Sequence, residues 1–127
     1  MVRRTTRRGE RWPPAKTRLA ALIEEAIVDA YTESEQCVGF YTLLDGRLDT
    51  PFKTEILGVT VTVERLDMTR DEQIVAICRR GRSRQRIPVL GLPLPSPRPA
   101  GAEWIEAYRS WRTVCERVTV LHRAVAR

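Results

Sequence analysis

A chain of 127 residues, 43% hydrophobic and 30% charged, has the size and composition of one soluble globular domain rather than of a disordered chain. Cys37, Cys78 and Cys115 are odd in number, far apart and without a CxxC pair, which argues against a disulfide framework and a thiolate zinc site and reads as buried thiols in a reducing cytoplasm. No stretch approaches 18 apolar residues, so no membrane span is expected, and Glu24, Glu25 and Asp29 interrupt what would have to be the apolar core of a signal peptide.

The net charge of +6 conceals a division. Residues 19–46 contain Glu24, Glu25, Asp29, Glu33, Glu35 and Asp45 and not one Lys or Arg, so this segment carries −6. The remainder, with 22 bases against 10 acids, carries +12. Two regions of opposite sign imply two kinds of partner.

Residues 1–18 are Arg-rich, contain Pro13-Pro14 and lack apolar periodicity, which predicts a flexible basic arm ahead of a single domain over 19–127. Leu19, Leu22, Ile23, Ala26, Ile27 and Ala30 have helical spacing, and a helix through Ala30 would put Glu25 and Asp29 one turn apart on another face. Thr32-Glu33-Ser34-Glu35 has the capping-box pattern and opens a second helix over about 33–44, whose stripe is Cys37, Phe40, Tyr41 and Leu44 and which Asp45-Gly46 should end.

Beyond Pro51 the period becomes two. Val59, Val61 and Val63 alternate with Thr60, Thr62 and Glu64; Ile74–Cys78 is a short apolar run; and Gln85–Leu90 follows the Arg80-Gly81-Arg82-Ser83 turn, together predicting a three-stranded antiparallel meander. Prolines at 93, 95, 97 and 99 predict an extended connector. From Ala102, Trp104, Tyr108, Trp111, Cys115, Val118 and His122 mark a C-terminal helix that covers the sheet. The fold class is therefore α+β: two N-terminal helices, a small antiparallel sheet with an SH3-like barrel as its closed form, and a C-terminal helix.

Calcium takes six to eight oxygens, chiefly from carboxylates and carbonyls, and is best served where no ammonium or guanidinium competes. The acidic segment meets that condition. Glu33 and Glu35 stand at the start of the second helix and Asp45 at its far end, so the acids form one site only if the chain folds back, and otherwise two. No EF-hand loop is present; Asp45-Gly46-Arg47-Leu48-Asp49 matches only a fragment of one, which adds Asp49 as a further ligand candidate. Asp67, Asp71 and Glu72 form another acidic group, but Arg65 and Arg70 are mixed into it, which argues against a metal site there.

Val28-Asp29-Ala30-Tyr31, then Glu33, Glu35-Gln36, Leu48 and Pro51-Phe52, resemble the pattern of a small bacterial calcium-binding family first known from cyanobacteria. Ile87-Pro88, the Leu-Pro-Leu-Pro run from Leu92 and Trp104-Ile105-Glu106-Ala107-Tyr108 to Trp111 extend the resemblance across roughly residues 21–111. It implies calcium bound at sites unlike the EF-hand, in buffering or signalling. Residue by residue it implies Asp29, Glu33, Glu35 and Asp45 as ligands, with Glu25 and Glu106 as further ones. Gly46 and Ala107 stand where the family pattern carries acids.

Arg80, Arg82, Arg84 and Arg86 surround the Gly81 turn, and Arg reaches phosphate oxygens bidentately, so a nucleic-acid or ribosomal surface, aided by the arginines at 3–11, is the competing expectation. No catalytic triad, phosphate loop or HExxH motif occurs, and no enzyme is expected. The expected partners are the calcium ion, a protein that reads it, and nucleic acid through the basic surface.

Overall fold

The computed structural model describes residues 12–125, with side chains described through Cys115. The N-terminal helix α1 (Lys16–Ala26) buries Leu22 and Ala26. It ends four residues before Ala30, where its periodicity predicts the end. Its last carbonyl, on Ala26, lies where a Cβ on Gly39 would collide with it, so the crossing with the next helix depends on a glycine. Asp29 then takes φ = 61°, a left-handed conformation that Asp tolerates better than most residues, and the chain reverses.

Helix α2 (Glu33–Arg47) is capped as its sequence predicts on one side: Thr32 Oγ1 accepts from the Glu35 amide at 3.1 Å. The reciprocal bond is displaced by one residue, because the Glu35 carboxylate accepts from the Tyr31 amide, not that of Thr32. Asp45-Gly46 does not end α2. Leu48 is buried just beyond it, and Gly101, at φ = 87°, nests against the Arg47 carbonyl, so tertiary contacts carry the helix one turn further.

The sheet has four strands rather than three, β1 (Phe52–Ile56), β2 (Val59–Met68), β3 (Ile74–Arg80) and β4 (Ser83–Pro88), antiparallel in sequential order. Leu57 and Gly58, both at positive φ, join β1 to β2 in a two-residue hairpin whose register pairs Phe52 with Val63 and Ile56 with Val59. A register shift between Val63 and Arg65 bulges β2 against β3. β1 and β4 lie at opposite edges without pairing, so the sheet is open rather than a closed barrel.

A 3-10 turn (Val89–Gly91) and the proline-rich connector lead to α3 (Ala102–Val125). The connector is tied to the sheet: its Pro93 carbonyl accepts from buried Thr54 Oγ1 of β1 at 2.6 Å. Arg109 of α3 donates to the carbonyls of Val89 and Leu92, while Glu106 holds the same guanidinium at 2.8 Å. One core joins the layers. Phe40, Leu44, Val63, Ile74, Ile105 and Tyr108 are fully or almost fully buried, and Phe40 meets the rings of Tyr108 and Trp111 at 5.7 and 5.1 Å. Val118 and His122 of the expected stripe lie beyond the described side chains.

Candidate metal centre

A continuous α2 divides the acidic segment. Ten residues separate Glu35 from Asp45, about 15 Å along the helix axis, so one ion cannot join them. Asp29, in a turn, and Glu25, on α1, do not form the helical pair that a longer α1 would have made. Among the described residues no three His, Cys, Asp or Glu side chains converge on one point.

At the start of α2, Glu33 pairs with Arg112 of α3 at 3.7 Å and Glu35 holds the Tyr31 amide at 3.1 Å, while Asp29 stands exposed in the preceding turn. A sequence-distant acid joins them. Glu72, in the β2–β3 turn, accepts from the Ser34 hydroxyl, and its carbonyl lies 3.1 Å from the Cys37 sulfur. The Cys37 thiol is pushed above its ordinary pKa by burial; the Glu72 and Glu33 carboxylates add to the rise and Arg112 opposes it.

At the far end of α2, Asp45 is exposed and makes no ion pair among the described residues. Tyr41, one turn earlier, donates to the Leu66 carbonyl at 3.5 Å. Its hydroxyl is held above its ordinary pKa by burial first and then by Asp45 and Asp67, with Arg65 opposing. Asp67, next to Leu66 on β2, and Asp45, one turn beyond Tyr41 on α2, thus both lie within electrostatic reach of that hydroxyl. Asp67 accepts from the Met68 amide at 2.8 Å and has Arg86 at 3.9 Å.

The other expected ligands have different surroundings. Glu25 pairs with Arg47 at 3.7 Å, Glu106 with Arg109 at 2.8 Å, and Asp49 lines a cleft beside β1, its amide bonded to the Ala100 carbonyl. Periodicity in the sequence could not associate Asp67 and Glu72 with α2, because the β2–β3 hairpin brings them there across more than 20 residues.

The arginine fork is partly neutralised. Arg84 pairs with Glu64 at 2.7 Å, Arg79 with the same carboxylate at 3.1 Å, and Arg86 with Asp67. Arg80 and Arg82 are exposed and unpaired among the described residues, whereas the arginines at 3–11 lie outside the described residues. Among the described residues no helix is long and apolar enough to cross a membrane.

The sequence profile of a family described as calcium binding matches residues 20–112, nearly three quarters of the chain. This chain belongs to the CcbP-type calcium-binding family. Its ion is Ca2+, and the family is one of calcium-binding proteins, not of enzymes. The crystal structure of Anabaena CcbP superposes with a TM-score of 0.59 at 18% identity, covering 80% of this chain and 94% of that one, which establishes a common fold. No curated relative matches the chain.

The donor chemistry suits a hard cation at both ends of α2. Carboxylates are accompanied by a hydroxyl and a backbone carbonyl, all oxygen, and residues 19–46 contribute no cation. The arrangement is open rather than a finished cage, since no three acids meet among the described residues.

Proposed function

We propose that this family member binds calcium at separate positions along α2, with Asp45 and Asp67 as the principal carboxylates at its C-terminal end. Asp29, Glu33 and Glu35, joined by Glu72, form the second group. What carries the reading is Asp45: an exposed carboxylate without an ion pair among the described residues, in the last turn of a helix, sharing the surroundings of Tyr41 with a second acid.

A carboxylate at a helix C-terminus meets the negative end of the helix dipole and so gains nothing locally from being there. A bound divalent cation supplies the positive charge that relieves this repulsion. The chain's own residues do the rest. Asp67, positioned by its bond to the Met68 amide, adds the second charge, and the Tyr41 hydroxyl and Leu66 carbonyl fill the space between α2 and β2 with oxygen. Arg86 is the competitor for Asp67, so binding is expected to weaken the Arg86–Asp67 pair. At the start of α2, Arg112 competes for Glu33 in the same way.

The reading supports a buffer or sensor that performs no catalysis, uses no EF-hand and works in a reducing cytoplasm. The thiols of Cys37 and Cys78 are buried and form no disulfide, which suits that compartment.

The test is calcium titration by calorimetry, with magnesium as competitor, alongside ultraviolet titration of tyrosine. Calcium at Asp45 and Asp67 must lower the pKa of Tyr41, because it cancels the charges that help raise it. The Tyr41→Phe variant identifies the signal, and Asp45→Asn should abolish the shift. Heat of binding with no change in Tyr41 ionisation would move the ion away from this end of α2, and no heat at millimolar calcium would refute the site altogether.

A further inference from the structure

The proline-rich connector and the start of β1 line a cleft of about 530 Å³, with Asp49, two residues past α2, and Thr62 of β2 also on its wall. Its volume is in the range of small-molecule sites. Phe52, Pro97 and Pro99 provide apolar wall, and three charged side chains, Asp49, Lys53 and Arg98, reach its lining. None of the three has an ion pair among the described residues.

Arg98 is the unusual member. Its guanidinium carbon lies 4.1 Å from the centroid of the Trp12 ring, and its Nε–H is buried without an acceptor among the described residues. Stacking on an aromatic ring fixes the plane of a guanidinium while leaving its N–H edge available, and a buried unmet donor is costly unless something accepts from it. The cleft is thus lined by a guanidinium whose plane the Trp12 ring fixes and by a second cation, Lys53. Asp49 makes the balance of the lining +1, which matches a single negative charge and disfavours a dianion.

We propose that this cleft binds a small organic monocarboxylate, its carboxylate accepting from Arg98 and Lys53 and its apolar body lying against Phe52 and the proline rings. The site is independent of calcium, because the two cations that define it would repel a metal ion and the Arg98 fork needs no metal to bind an anion.

Benzoate, its neutral isostere benzamide and the dianion phthalate are suitable probes for amide chemical-shift mapping and for tryptophan fluorescence, with Trp12→Phe used to assign the emission. In chelator, millimolar benzoate should shift the amides of residues 49–53 and 95–99 saturably and change the Trp12 emission. Arg98→Gln should weaken it about tenfold, the loss expected for one charge-assisted hydrogen bond. Benzamide and phthalate should bind more weakly than benzoate, and Asp49→Asn should narrow the gap for phthalate. Equal binding of benzamide, undiminished binding to Arg98→Gln, an absence of saturable shifts, or a requirement for calcium would each overturn the proposal. The comparison of benzoate with benzamide on the unaltered protein stands even if a variant fails to fold. Failure here leaves the calcium reading of α2 untouched.

Discussion

The two ends of α2 present the same side-chain chemistry under opposite electrostatic conditions. Glu33 and Glu35 stand at the helix start, where the dipole favours negative charge, and Glu35 also accepts from the Tyr31 amide. These acids therefore stabilise the helix whether or not an ion is bound. Asp45 stands in the last turn, where the same dipole disfavours it by about 0.3–1 kcal/mol, and no ion pair among the described residues offsets that cost. The difference separates acids that stabilise the helix from an acid that the helix itself does not explain.

The change expected to disrupt both ends together is Phe40→Ala, because Phe40 is the central buried ring of α2 between Tyr108 and Trp111. Urea unfolding should show a loss of about 3–5 kcal/mol, with both calcium responses gone under conditions where the variant unfolds. A loss below about 1 kcal/mol would mean that α2 is not held by this contact.

A smaller change should divide the ends. Gly39→Ala places a methyl group against the Ala26 carbonyl and forces α1 from α2, with an expected cost of about 1–3 kcal/mol. Because Ala26 leads into the Asp29 turn, the N-terminal group should lose calcium affinity while the Tyr41 ionisation shift survives. Loss of that shift in a folded Gly39→Ala protein would show that the two ends are coupled.

The most direct contrast pairs Thr32→Ala with Asp45→Asn, followed by thermal melting in chelator and in calcium. Thr32→Ala removes the cap and should destabilise by about 1 kcal/mol in either condition. Asp45→Asn should raise stability in chelator by up to about 1 kcal/mol, through relief of the dipole, and reduce the stabilisation that calcium provides. If Asp45→Asn instead destabilises the calcium-free protein, Asp45 has a structural role and the contrast collapses.

The smallest effect lies away from both ends and serves as a control. The Glu64 carboxyl is held below its ordinary value of 4.5 by a hydrogen bond from Arg84, against a partial cost of desolvation, with the charge of Arg84 and the bond and charge of Arg79 adding to it. A folded-state pKa below the unfolded one stabilises fully above the unfolded value, and the contribution is lost as pH falls through the folded value. Glu64→Gln should therefore flatten the acid limb of the stability profile below about pH 4.5 and leave calcium binding unchanged. An unchanged acid limb would show that the pair contributes nothing to folding.

Local chemistry was sufficient to identify much of this protein. The three-and-four spacing from Leu19, the Thr32 cap, the valine alternation from Val59 and the aromatic stripe from Trp104 all specify elements through contacts within a few residues. The motif order from Asp29 to Trp111 likewise carried the family resemblance, and the matched family spans residues 20–112. Strand β1 was missed although Phe52, Thr54 and Ile56 alternate, because the run is five residues long and the Leu57-Gly58 hairpin lacks the usual Asn-Gly signal.

Element ends and the grouping of the acids were decided by tertiary structure. Gly39 and Gly101 permit backbone approaches whose partners, Ala26 and Arg47, are distant in sequence, and those approaches accompany the early end of α1 and the late end of α2. The sequence alone determined that residues 19–46 are acidic and contain no cation of their own. The sequence also set Glu35 and Asp45 at opposite ends of one helix; only the fold brought Asp67 and Glu72 to those two ends, because a hairpin's path past a helix is set by long-range packing that no local periodicity encodes.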